Sequence, residues 1–265
     1  MDINTVKKTL MERLGVENKE FFVLMSACTR APYVQCDAET FDDEVLLFFE
    51  EERAKEKGKA LAEEQIPVNL TRLESKQMLT FFTTLYTMGV NAVRIDLPEG
   101  SASLQLEEVV KKRDQKEMPD GTVWIENPQM HLTALYFAQE LRKPAKPDTQ
   151  QRLLELQEEL GADFQKGSFL FALNNDGQGT PMVKLKNGMK YQPVFTDVIE
   201  FHRFNREQKF RPVVVEAKNL LKVLDKDATG VILNFAGVNL PLAVGRPGAP
   251  QGEAAVEQIQ KEAEA

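Results

Sequence analysis

Few residues in this 265-residue chain have the type and spacing that chemistry needs. Only two histidines occur. His131 lies in Met130-His131-Leu132-Thr133 and His202 in Phe201-His202-Arg203-Phe204. Neither has a second His, Cys or carboxylate at the spacing of a ligand set such as H-E-x-x-H, so each reads as a packed or surface histidine. Cys28 and Cys36 flank the turn Thr29-Arg30-Ala31-Pro32. On two arms of a hairpin they would come close enough to bridge under oxidation. Unactivated thiols on strands more often pack as small apolar groups, and neither precedes a helix start that would lower its pKa. Gly177-Gln178-Gly179-Thr180-Pro181 opens a strand rather than a helix, so no helix N-terminus faces an anion there. Gly245-Arg246-Pro247-Gly248 has no following Lys-Ser/Thr. The acidic runs Asp42-Asp43-Glu44 and Glu50-Glu51-Glu52 read as solvated charges near helix starts. The expectation is no catalytic constellation, no cofactor and no metal.

One aromatic and polar corner stands out. Phe195-Thr196-Asp197 sits where a strand should turn into a helix, with Phe201, His202, Arg203 and Phe204 following. Together with the turn from Asn234 to Gly237 it forms the candidate interaction surface: Phe195, Thr196, Asp197, Asn234 and Gly237. Thr196 or Asp197 also suits the N-cap of the following helix.

Those residues must be positioned by a soluble, globular scaffold. Apolar residues make up 42% and charged residues 28%, which excludes collagen-like and wholly disordered chains. The net charge of −8 repels phosphate backbones, so nucleic acid is not expected as a partner. The longest apolar runs, such as Val45 to Phe49, are far shorter than the roughly 20 residues that span a bilayer, so no membrane partner is expected either. Two cysteines make no disulfide framework. With no signal-like start, the expected location is cytoplasmic.

The chain also resembles itself. Residues 9–25 and 155–171 each read as an amphipathic helix ending in Leu-Gly, then a polar link and an apolar run. Gly15 and Gly161 stand where a helix C-cap takes φ > 0. Val45-Leu46-Leu47-Phe48-Phe49 answers Pro193-Val194-Phe195-Thr196-Asp197, and Ile66-Pro67-Val68 answers Arg211-Pro212-Val213. A helix follows in both copies, then Ala92 to Leu97 answers Gly230 to Phe235. Five segments in one order read as two divergent copies of a module. The expected organisation is a first copy over 1–112, a helical connector and linker over 113–147, a second copy over 148–246 and a polar tail over 247–265.

Within the second copy the patterns predict a helix over 148–160 capped by Asp148, then strands near 168–174 and 181–187 joined as a hairpin. A strand near 190–196 is introduced by Asn187-Gly188, a strong hairpin signal. Helix 197–205, strand 211–215, helix 216–225 and a closing hairpin of 229–235 with 238–243 follow. A further helix starts at Asn127-Pro128 and runs to about Leu141. The fold class is α+β, two tandem duplicated modules of mixed or antiparallel sheet with flanking helices.

The second copy resembles the N-terminal domain of the SseB (enhanced serine sensitivity) family. The resemblance rests on Gln192-Pro193-Val194-Phe195-Thr196-Asp197, Phe210-Arg211-Pro212 and Gly230-Val231-Ile232-Leu233-Asn234-Phe235-Ala236-Gly237. Asp197 stands where that family usually has Ser, and Phe235 where it has Pro. The resemblance implies a bacterial, cytoplasmic protein with no established catalytic residues to carry over. The function expected is a noncatalytic interaction or regulatory protein that binds another protein. The alternative is a sensor binding a small amino-acid-like ligand in a cleft between the modules.

Overall fold

A computed structural model describes residues 2–112, 124–146, 148–177 and 179–244. Residues 113–123 of the expected connector and linker, and the tail over 247–265, lie outside the described residues. The chain divides into two compact units, Met1–Glu117 and Met118–Ala265.

The first unit runs α1 (Ile3–Leu14), β1 (Glu20–Ser26), β2 (Val34–Cys36), β3 (Asp43–Phe48), α2 (Glu51–Glu63), β4 (Val68–Glu74), α3 (Ser75–Thr87), β5 (Ala92–Leu97), β6 (Gly100–Gln105) and α4 (Leu106–Val109). Its sheet has the order β4-β1-β3-β5-β6, with β2 paired to β3. β3 and β5 are parallel and the other pairs antiparallel. Side chains alternate across a strand, so a sheet covered on both faces needs apolar residues at successive positions. β1 supplies them. Phe22 and Leu24 join Leu46, Phe48, Ala54 and Leu61 beneath α2. Phe21 and Val23 point the other way, where α1 and α3 carry the buried Val6, Leu10, Met78 and Phe82.

The second unit repeats this plan. It runs α5 (Pro128–Arg142), α6 (Thr149–Lys166), β7 (Ser168–Asn174), β8 (Val183–Lys184), β9 (Lys190–Phe195), α7 (Val198–Phe204) and β10 (Phe210–Glu216). A 3-10 turn over Ala217–Asn219, α8 (Leu220–Val223), β11 (Gly230–Leu233) and β12 (Leu240–Ala243) complete it. The sheet order is β10-β7-β9-β11-β12, with β8 paired to β9 and with β9 and β11 parallel. The α+β class and the two similar modules are therefore as expected. The helix Pro128–Arg142, read from sequence as part of a connector, falls in the second unit and packs on α6.

Several local expectations are corrected. β7 and β8 do not form a hairpin: β7 pairs with β9 and β10. The hairpin signal at Asn187-Gly188 does join β8 to β9 as expected, with Gly188 at φ 87°. Gly15 follows α1 but is right-handed, at φ −73°. Gly161 ends nothing, because α6 continues to Lys166. Its last turns are held by packing: Leu160 is buried and Phe164 stacks on Phe169 at 4.7 Å. Asp148 makes no side-chain cap; the Thr149 hydroxyl accepts the Lys146 N–H at 2.8 Å instead.

Gly161 therefore carries a glycine's conformational cost in mid-helix, and a Cβ there meets nothing within 4 Å. Gly161→Ala should raise the unfolding free energy by about 0.5–1 kcal/mol. Urea denaturation of the two chains checks it, and an unchanged or lower midpoint would show that α6 frays before residue 161.

Candidate functional site

The five candidate residues lie at the carboxyl ends of the parallel strands β9 and β11. The register pairs Val194 with Leu233, so the next step brings Phe195 beside Asn234. Asn234 leaves β11 in the left-handed region at φ 47°, a conformation asparagine tolerates. Its amide then faces Thr196. Asn234 Oδ1 accepts the Thr196 N–H at 3.0 Å, and Asn234 Nδ2 donates to Thr196 Oγ1 at 2.9 Å. Asp197 caps α7 as expected, its Oδ1 accepting from Ile199 N at 2.9 Å and Glu200 N at 3.0 Å.

None of this forms a surface. Phe195, Thr196, Asp197, Asn234 and Gly237 are all buried. Phe195 is an interior ring packed against Phe201 at 5.5 Å and Phe204 at 5.2 Å. The physical reason is α5, which crosses this end of the sheet. Asn127, ahead of its first turn, donates to Ser168 O at 2.8 Å and Thr196 O at 2.7 Å. At its other end Arg142 donates to Val238 O and Asn239 O, each at 2.7 Å.

α5 also delivers His131, a residue that sequence reading set aside as a packed or surface histidine. It is packed, at 3% exposure. Its Nδ1 lies 3.2 Å from Thr196 Oγ1 and 3.3 Å from Asp197 Oδ2. A hydroxyl has one proton and two lone pairs. Thr196 Oγ1 gives its proton to Asp197 Oδ2 at 2.6 Å and accepts from Asn234, so its remaining lone pair assigns the histidine proton to Nδ1. In a nucleophilic triad the hydroxyl and the carboxylate face opposite nitrogens of the imidazole. Here both face Nδ1, and the hydroxyl already donates to the carboxylate. That wiring locks side chains together and does not activate Thr196.

Glu200 closes the cluster. Arg203 donates to its Oε1, while its Oε2 has no hydrogen-bond partner. Burial pushes the Glu200 carboxyl above its ordinary value of 4.5, against the charges of His131 and Arg203. Burial works the same way on Asp197. There the hydrogen bond and charge of His131, the Thr196 hydroxyl and the Glu200 N–H prevail and hold the carboxyl below 3.8. Gly237 belongs here for a steric reason: a Cβ on it would stand 2.5 Å from Glu200 Oε2. Sequence reading found Thr196, Asp197 and Asn234 through their turn chemistry. It missed His131 and Glu200, because His131 meets Thr196 across 65 residues with no local signal.

The remaining sequence candidates stay apart. His202 is exposed. Cys28 is buried, Cys36 is exposed, and no disulfide joins them. Glu44, read as a solvated acid near a helix start, lies on β3 and is fully buried. Among the described residues, no group of three or more His, Cys, Asp or Glu is placed to hold a metal ion. No helix among them is long and apolar enough to cross a membrane.

No family model and no curated protein matches the chain. Two solved structures are similar. Tic22 from Plasmodium falciparum has 14% identity and a TM-score of 0.23, over 84% of this chain and 90% of that one. Anabaena Tic22, described as a protein of protein transport, has 11% identity and a TM-score of 0.22, over 86% and 91%. Similarity at that level carries no inference about function.

Two outcomes test the cluster. Gly237→Ala should cost about 1–3 kcal/mol from overpacking, and Glu200→Ala in the same chain should recover part of it. Strictly additive effects in that double-mutant cycle would place the strain elsewhere. Because the Glu200 carboxyl is raised, its stabilising contribution is complete below pH 4.5 and is lost as pH rises through the raised value. Asp197 acts in the opposite sense, contributing above pH 3.8 and losing that contribution as pH falls. Glu200→Gln should therefore gain stability relative to the parent as pH rises above 4.5. Denaturant titrations across pH check this, and parallel profiles would contradict it.

Proposed function

We propose that the chain is a noncatalytic interaction or regulatory protein of the SseB-like kind, acting in the cytoplasm on another protein. The observation that carries the reading is a surface element present in both units. Glu74-Ser75-Lys76-Gln77-Met78-Leu79 ends β4 and opens α3, while Glu216-Ala217-Lys218-Asn219-Leu220-Leu221 ends β10 and opens the helical segment that follows. In both, the Lys pairs with the Glu two residues before it, at 2.7 Å and 2.9 Å. Met78 and Leu220 are both fully buried. Leu79 and Leu221 are 66% and 53% exposed.

A single exposed leucine needs no explanation. The same exposed leucine beside the same ion pair, in two copies that otherwise diverge, is a different matter. Stability does not account for it: exposed ion pairs contribute about 0–1 kcal/mol, and an exposed leucine forgoes its burial energy. A partner that covers the leucine does account for it. In the first unit the element also borders a recess of about 400 Å³ lined by Leu14, Gly15, Ser75 and Lys76, which gives such a partner a foothold.

The test replaces Leu79→Ser and Leu221→Ser, singly and together. Exposed substitutions should change the unfolding free energy by no more than about 0.5 kcal/mol. Affinity capture from the native lysate, quantified by mass spectrometry, should then lose a partner stepwise from parent to single to double variant. A partner that the double variant retains in full, or none captured by the parent, counts against the reading.

A further inference from the structure

The first unit carries polar residues on the face of its sheet where the second carries apolar ones. On β5, Val93 and Ile95 face the buried α1 and α3 side, so Arg94 and Asp96 face the α2 side. Register sets Leu46 and Phe48 of β3 beside them on one flank, and Ser103 and Ser101 of β6 on the other. α2 packs over β1, β3 and β4, which leaves the β5–β6 half of this face open. The result is a cavity of about 390 Å³ with the nearly buried Leu46 and Phe48 as the apolar part of its lining.

Its charged lining is held in place from behind. Glu44, fully buried, accepts from Gln35 Nε2 at 2.8 Å, from Arg94 Nη1 at 3.3 Å and from the Ser103 hydroxyl. Arg94 is further tied to Asp37 at 3.0 Å and to Ser101 at 3.3 Å, both through atoms other than Nη2. Burying a carboxylate is costly unless its partners are in place, and the scaffold does not require one here. The matching positions of the second unit are Tyr191 and Ile232, as the register of the parallel pairs shows.

Three groups are left for a ligand. Arg94 Nη2 has no hydrogen bond, Lys57 on α2 has no ion-pair partner among the described residues, and Asp96 holds Arg53 through Oδ1 only. Lys57, Arg94 and Asp96 line the cavity, while Arg53, Asp37 and Glu44 stand behind them as their ion-pair partners. A cavity that displays separated charges of both signs favours a ligand built the same way over a simple anion or cation. Its volume lies in the range of small-molecule sites.

We propose that this cavity binds a small zwitterion with an apolar tail, the chemistry of a free α-amino acid with a branched aliphatic side chain. The carboxylate meets Lys57 and Arg94 Nη2, the ammonium meets Asp96 Oδ2, and the side chain lies on Leu46 and Phe48. The site lies wholly within the first unit and is independent of the repeated leucine surface.

Calorimetric titration of the full chain with L-leucine tests it, with 4-methylpentanoate and 3-methylbutylamine as single-ended analogues. L-Leucine should bind saturably and each analogue at least about tenfold more weakly. Arg94→Ile removes a partner from buried Glu44 and is prone to unfold. The decisive variant is therefore Lys57→Gln, whose thermal midpoint should match the parent while affinity falls about tenfold, with Lys57→Arg recovering it. No saturable heat with L-leucine at millimolar concentration overturns the proposal. So do analogues that bind as tightly as L-leucine, or a Lys57→Gln variant that binds as well as the parent.

Discussion

Two reciprocal hydrogen bonds between Thr196 and Asn234 tie together the ends of the parallel strands in the second unit, and the rest of that region leans on them. Where parallel strands stop side by side, backbone N–H groups lose their ladder partners and need others. The Asn234 amide supplies one for Thr196 N, and its left-handed backbone turns the chain aside so that the amide can reach. With the Thr196 hydroxyl fixed, Asp197 is free to use its other oxygen as the cap of α7, and His131 completes the shell from α5. An unpaired donor left here by losing the amide would be buried, which is the expensive way to lose a hydrogen bond.

The sister unit shows that the backbone constraint and the side-chain solution are separable. Phe48 pairs with Asp96 there as Phe195 pairs with Asn234, and Arg53 on α2 occupies the place of Glu200 on α7. Arg53 forms an ion pair with Asp96, so opposite charges act at these strand ends where Thr196 and Asn234 use neutral hydrogen bonds in the second unit. On the sheet face the contrast reverses, with Glu44 and Arg94 in the first unit and Tyr191 and Ile232 in the second. Each copy has kept the strand order and moved its buried polar groups to a different level of the sheet.

Against that divergence, the shared Glu-x-Lys ion pair and exposed leucine are unusual in being kept at the surface. Core positions such as Met78 and Leu220 agree because both fill an interior, and a methionine serves as well as a leucine. Leu79 and Leu221 have no such reason to agree.

Much of the organisation was written in the sequence. The duplication, the α+β class, the closing hairpin, the α7 cap at Asp197 and the helix opened by Asn127-Pro128 all depend on neighbours within a few residues or on the order of apolar segments. Local chemistry alone decides those. What failed were readings where packing outweighs local preference. Gly161 looks like a stop, but a buried leucine stripe and the Phe164–Phe169 stack carry the helix past it. Glu44 looks solvated in its acidic run, but strand alternation turns it inward, where Arg94, Gln35 and Ser103 await it. The turn chemistry of the candidate corner was legible in its local residues, but its burial beneath α5, which leaves no surface there, and its histidine came only from the tertiary structure. Sequence determines which short segments form and where they turn. Which polar side chains end in the interior depends on contacts across tens of residues, and no local pattern records those.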